Sequence, residues 1–279
     1  MPDKLIENDA VLTPLPAATV TLVRDRAHGI EVLMMQRNLH SGFVPGHHVF
    51  PGGAVDEHDG SEEVGALCAG LDDQSASAIL GVPRGGLAYW VAAIREAFEE
   101  AGLLLAYGAG GAIIELMQSQ AVARFSAYRR AVDEGIRTFA DVLGEEQLRL
   151  ATDRLVYFAH WITPIGRSRR YDTRFFIAEA ARSQEALSDR RETIDHVWIT
   201  PGAALDKERR GEFEMRLPTV RTLELFAQFD RTATLIAAMR DSRDIPAILP
   251  RLIGDEQYLL PGEPGYEDAT DFIPTRAGR

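Results

Sequence analysis

Between Leu87 and Leu105 the residues Leu87, Trp90, Val91, Ile94, Phe98, Ala101 and Leu105 recur at the spacing of one helix face, about 100° per residue, and Gly102 supplies a stop. A helix with so apolar a stripe must bury it against another layer. The same geometry gathers Glu96, Glu99 and Glu100 on the opposite side, within an arc of roughly 100°, with Arg95 at its edge. Like charges three and four apart repel, and each such pair costs an isolated helix a few tenths of a kcal/mol. A solvated acidic face relieved by Arg95 is the plain reading of this cluster. The functional reading is a site for a hard cation, because Mg²⁺ and Mn²⁺ take oxygen ligands and keep places for water and phosphate. On this geometry Glu96 and Glu100 should both face solvent.

The rest of the chain alternates strand and helix signals. Ala17 to Val23 and Ile30 to Met35 flank Asp25, His28 and Gly29 as the two arms of a hairpin. His48 to Phe50 reads as a brief strand, ended by Pro51-Gly52-Gly53, where proline blocks ladder pairing and the glycines permit close backbone approach. That turn could offer a backbone carbonyl as one more oxygen ligand. From Asp56 to Arg84 the chain is rich in Asp, Glu, Gly and Ser, which predicts a long excursion with at most one short helix. Helical spacing returns over Ile114 to Arg130. Leu155 to Thr163, Tyr171 to Ala178 and His196 to Thr200 are strand-like, Pro201 opens a short helix, and Leu217 to Met239 gives two more, broken near Asp230. The proline-rich stretch from Ile245 predicts extended chain. The expected organisation is a flexible segment over 1–15, a main domain over 16–215 with an insertion at 56–85, and C-terminal helices and tail over 216–279. Those helices would pack on the same domain or form a homodimer contact.

Charge and cysteine content exclude several classes. A formal charge of −12 argues against a surface that neutralises nucleic-acid phosphates. The single cysteine, Cys68, cannot form an internal disulfide and reads as a small buried apolar residue. The first sixteen residues lack the basic start and apolar run of a signal peptide, and no stretch reaches the roughly 18 apolar residues of a membrane span. A cytoplasmic protein with no membrane partner is expected.

Pro51-Gly52-Gly53, followed downstream by Arg95-Glu96-Ala97-Phe98-Glu99-Glu100-Ala101-Gly102-Leu103, resembles the Nudix box, whose second half reads Arg-Glu, an apolar residue, any residue, Glu-Glu, any residue, Gly, apolar. The first half departs from the pattern. Where the family places a glutamate six positions after the second glycine, this chain has Asp59, and 35 residues then intervene before Arg95. Either Glu57 or Asp59 fills the acidic role, or neither does. The split box, the run Ser41 to Gly53 before it and the strand Tyr171-Asp172-Thr173-Arg174-Phe175-Phe176 are similar to the Nudix branch that includes the peroxisomal coenzyme A diphosphatases, over roughly residues 17 to 205. The tail Arg276-Ala277-Gly278-Arg279 is not a peroxisomal address.

The resemblance implies an α/β/α sandwich around a mixed sheet, with a C-terminal helical extension. It implies metal-dependent hydrolysis of the diphosphate in a small-molecule nucleotide, coenzyme A or an acyl derivative first. ADP-ribose or a dinucleotide is the alternative substrate, and a catalytically silent binding domain the alternative function. Mg²⁺ or Mn²⁺ would sit on Glu96, Glu99, Glu100 and the Gly52 carbonyl, with Arg95 holding a glutamate in orientation. Glu192, just before the strand ending at Trp198, is a candidate general base, a box glutamate being the other. Gly53 would admit a phosphate, and Arg37, His47, Arg170 and Arg174 are candidates to meet substrate phosphates.

Overall fold

The computed structural model of the protein describes residues 12–38, 46–186, 193–242, 244–254 and 257–271. Its two predicted hairpin arms are β1 (Leu15–Arg26) and β2 (Gly29–Arg37), antiparallel from Val23↔Val32 to Arg26↔Gly29. β3 (His48–Val49) adds to β2, and β4 (Gly52–Ala54) pairs with the start of β1, Thr19 opposite Gly52. β5 (Ala106–Tyr107) and β6 (Arg149–Leu150) form a separate small ribbon. β7 (Val156–Ile162) and β8 (Tyr171–Glu179) follow as an antiparallel pair, and β8 lies parallel to β1 from Leu15↔Tyr171 to Val23↔Glu179. β9 (Thr193–Ile199) pairs with β2, and β10 (Ala247–Ile248) lies parallel on β7. Among the described residues this makes one eight-stranded mixed sheet. β11 (Arg251–Leu252) and β12 (Tyr258–Leu259) close a second ribbon.

Both faces of the sheet are buried, and strand alternation sorts the side chains between them. Ala18, Val20, Leu22, Leu33, Met35 and Phe176 turn to one layer, while Val32, Met34, Phe175 and Ile177 turn to the other. On the first face lie α1 (Glu62–Ala66), α2 (Asp73–Leu80), α3 (Leu87–Ala101), α4 (Ser119–Asp133) and α5 (Phe139–Glu145). α3 carries the predicted stripe: Trp90, Ile94 and Phe98 are each 2% exposed or less, and burial of such side chains contributes about 2 kcal/mol apiece. Trp90 also donates its indole N–H to the Leu155 carbonyl at 3.3 Å. The helix ends where Gly102 takes a φ of 68°, a left-handed turn that favours glycine. On the second face lie α6 (Pro201–Arg209), α7 (Leu217–Phe226) and α8 (Thr232–Asp241). Their Ala204, Leu223, Phe226 and Leu235 are buried in the core of that face, so the C-terminal helices supply the second layer of the sandwich.

The excursion after β4 departs from expectation. It contains a 3-10 turn at Glu57–Gly60 followed by α1 and α2, not at most one helix. The residues that suggested loop are in fact helix caps: Asp56 accepts from the His58 amide, Ser61 from Val64, and Asp72 from Ser75. α4 starts later than the periodicity indicated, because the Ile114 amide bonds back to Ala106. Cys68 is buried, its thiol facing the Val64 carbonyl at 3.4 Å and pushed up to about 11 by burial, as suits an apolar packing residue. No helix among the described residues is long and apolar enough to cross a membrane.

Candidate active site

The C-terminal half of α3 runs under β4, and this contact builds the site. The Gly52 amide donates to Glu100 Oε2 at 3.0 Å. Gly53 lies so close to Glu96 that a Cβ placed there would stand 2.5 Å from its Oε1. A side chain at 53 would push the Glu96 carboxylate aside, so the glycine lets that carboxylate lie against β4. Glu100 is 3% exposed, which corrects the expectation that it faces solvent: β4 covers this part of the helix, and the Arg37 guanidinium lies 3.6 Å from Glu100 Oε1. Glu96 is likewise largely covered, with 13% of its side chain exposed, so it too departs from the expected solvent-facing position.

Arg95 ties the cluster together. Its Nε and Nη2 donate to the two oxygens of Asp59 at 2.9 and 3.0 Å, its Nη2 also to the Ala54 carbonyl at 2.9 Å, and its Nη1 to Glu96 Oε1 and Glu99 Oε2 at 2.8 and 3.1 Å. Burial works against its charge, yet Asp59, Glu96 and Glu99 more than offset that cost and leave its pKa raised. Of the two acids considered for the first half-motif, Asp59 is the one that Arg95 grips, and it is 4% exposed, whereas Glu57 is exposed. Asp59 also closes a reciprocal cap with Asp56, so the 3-10 turn presents it to Arg95 before the rest of the excursion departs. Burial first, then the charge of Glu96, pushes the Glu99 carboxyl up to about 7.

These groups open on a cavity of about 500 Å³ on the α7 side of the sheet. Glu96, Glu99, Glu100, Gly52, Gly53 and Arg37 all line it. The donor set is of carboxylate and backbone oxygens, which suits a hard divalent cation, and the absent Cβ of Gly53 preserves the space beside Glu96. As the side chains lie, no three acidic, His or Cys groups among the described residues enclose a single point; Arg95 spans Glu96 and Glu99 instead.

The other sequence-derived candidates lie elsewhere. Tyr171, Thr173 and Phe175 line the cavity, so alternation turns Arg174 to the opposite face, where it sits 5.6 Å above the Tyr89 ring and bonds Asp172 at 2.6 Å. Arg170 is buried against the Thr163 and Leu12 carbonyls at 3.0 and 2.6 Å. His47 faces Glu214 at 3.8 Å. Glu192 lies outside the described residues. Sequence reasoning missed Asp133, Trp161, Arg167, Arg169, Arg216 and Tyr258, all on the cavity wall. Their signal lies only in the tertiary arrangement, apart from the alternation of β7 that places Trp161.

Fold and carboxylate helix together define a hydrolase of the Nudix type. Residues 70–224, more than half of the chain, match the model of the NUDT19 Nudix domain, and the chain belongs to that family. Nudix hydrolases generally work with divalent cations. The chain is 29% identical over 283 residues to the acyl-coenzyme A diphosphatase NUDT19 of Gallus gallus, spanning 87% of this chain and 74% of that protein. It is 28% identical to the protein of the same name from Homo sapiens, over 88% and 75% of the two chains. A Nudix hydrolase structure from Alicyclobacillus acidocaldarius shares the fold, with 24% identity, a TM-score of 0.68 and coverage of 82% of this chain and 97% of that one.

Proposed function

We propose that this chain hydrolyses the diphosphate of coenzyme A or an acyl-coenzyme A, releasing a phosphopantetheine and adenosine 3′,5′-bisphosphate. The similarity to two acyl-coenzyme A diphosphatases across nearly nine-tenths of the chain carries this reading. Water adds to one phosphorus, the bridging P–O bond breaks, and the bridging oxygen leaves with the other phosphate. Mg²⁺ or Mn²⁺, held by Glu96, Glu99, Glu100 and the Gly52 carbonyl, would neutralise phosphate charge and lower the pKa of water.

The chain's own residues prepare this chemistry. In a strand the amide and carbonyl of one residue face the same edge, so the Gly52 amide on Glu100 turns its carbonyl toward α3 as well. Arg95, fixed by Asp59, sets the carboxylates of Glu96 and Glu99 in orientation. Arg37, beside Glu100 on the cavity wall, is placed to meet a diphosphate oxygen. Glu192 is retained as the general base. A mixture of coenzyme A, ADP-ribose and dinucleotides, incubated with Mg²⁺ or Mn²⁺ and read by mass spectrometry, tests the reading. Release of adenosine 3′,5′-bisphosphate from coenzyme A, abolished in Glu100→Gln, is expected; turnover of ADP-ribose alone would overturn it.

A further inference from the structure

The cavity has two charged ends, and the chemistry above uses one of them. At that end stand the carboxylates of α3 with Arg37. At the other, Arg167 and Arg169 line the cavity from the turn at 163–170 that joins β7 to β8. Sheet order sets their separation. The carboxylates lie against β4, and the strands then run β1, β8, β7, so the turn is two to three strand spacings away, roughly 10–14 Å. That is farther than one diphosphate reaches. In a chain of net charge −12, two guanidinium groups on one turn of the cavity wall concentrate positive charge there. Arginine in particular offers a planar fork that matches phosphate oxygens. Arg167 is 7% exposed, and its Nη2 donates to the Tyr258 hydroxyl at 2.5 Å. β12 thereby holds one of the two in place from outside the stretch that matches the family model.

We propose that Arg167 and Arg169 form a second phosphate subsite, which takes a phosphate monoester on the ribose of the substrate while the carboxylate end handles the diphosphate. For the substrate class proposed above, on which this assignment rests, that group is the 3′-phosphate of coenzyme A. Tyr258 is a positioning residue that acts through Arg167.

The test compares coenzyme A with dephospho-coenzyme A, which lacks only the 3′-phosphate, in the full chain and in Arg167→Gln and Arg169→Gln. The wild type should favour coenzyme A in kcat/KM by at least about tenfold, chiefly through KM, and each variant should pull that ratio toward one. Arg169 is exposed, so its variant keeps the test available if a change at the buried Arg167 disturbs folding. An equal fall on both substrates, or a wild type without preference, overturns the subsite. Tyr258→Phe, which keeps the ring, should raise KM for coenzyme A and leave kcat in place. Calorimetric titration with adenosine 3′,5′-bisphosphate and adenosine 5′-monophosphate separates this inference from the substrate reading. A preference for the bisphosphate that Arg169→Gln removes supports the subsite even if coenzyme A is not cleaved. Cleavage of coenzyme A without such a preference overturns the subsite and leaves the substrate reading standing.

Discussion

The two ends of the cavity are made of different material. The carboxylate end is a regular helix, α3, pressed against a strand of the main sheet, and its side chains are locked to one another through Arg95. The arginine end is assembled from a turn and a C-terminal ribbon, joined across a long sequence distance. Rigid elements hold reacting groups to tolerance, whereas connecting segments vary without disturbing the core. On the proposed division of labour, bond cleavage and substrate choice are separable, and changes at each end should affect different observables.

The largest effect is expected from Glu96→Gln and Glu100→Gln, which keep shape and remove charge. Turnover should fall about 10²–10³-fold, or roughly 3–4 kcal/mol, with little change in the urea midpoint. A collapse of folding in both, with no separate loss of turnover, would erase the distinction between the two ends. Asp59→Ala comes next, because it strands the Arg95 guanidinium in a buried setting. A loss of about 3 kcal/mol in unfolding free energy is expected, read from urea melts; a change under about 1 kcal/mol would show that Arg95 does not depend on that acid.

A pH measurement probes a third place, the contact of β3 with the chain just before α7. His48 stacks 3.6 Å from Phe213 and donates its amide to the Glu214 carbonyl, just ahead of Arg216. Burial, with the neighbouring His47 and Lys207, lowers its pKa to about 4 from the 6.5 of a free imidazole. The unfolded chain therefore takes up the proton first, so this contribution is intact above pH 6.5 and is lost as pH falls from 6.5 toward 4. About 2 kcal/mol should disappear by pH 5, and His48→Gln should flatten that slope in melts recorded across the range. The smallest effect is expected of Gly53→Ala, where the new methyl group displaces the Glu96 carboxylate: about a tenfold drop in kcat, measured with the melting temperature little changed.

Legibility in the sequence follows the same division. The α3 stripe, its end at Gly102 and the hairpin of β1 and β2 rest on local patterns and can be read from spacing, whereas the layered sandwich comes from the family resemblance. The carboxylates and the glycine turn belong to that local pattern too. Asp59 is only half legible: its spacing from the glycines marks it, but its bidentate grip on Arg95 depends on how the excursion leaves β4. The helical pieces of the excursion escaped notice because Asp and Ser serve equally as caps and as loop residues. Arg170 and Arg174 look like phosphate ligands in sequence, yet carbonyl contacts and strand alternation direct them elsewhere. Nothing local distinguishes them from Arg167 and Arg169.

The parallel pairing of β1 with β8 bears on how the molecule comes into being during translation. β2 can meet β1 as soon as the hairpin leaves the ribosome, but the other flank of β1, from Leu15 to Val23, must wait for Tyr171 to Glu179 to be synthesised. Until then an apolar strand edge stays open, and α3 has only part of the floor it packs on. Closure of so non-local a pair sets a slow step, and nascent chains halted before β8 should be the species that chaperones hold and that aggregate when they do not.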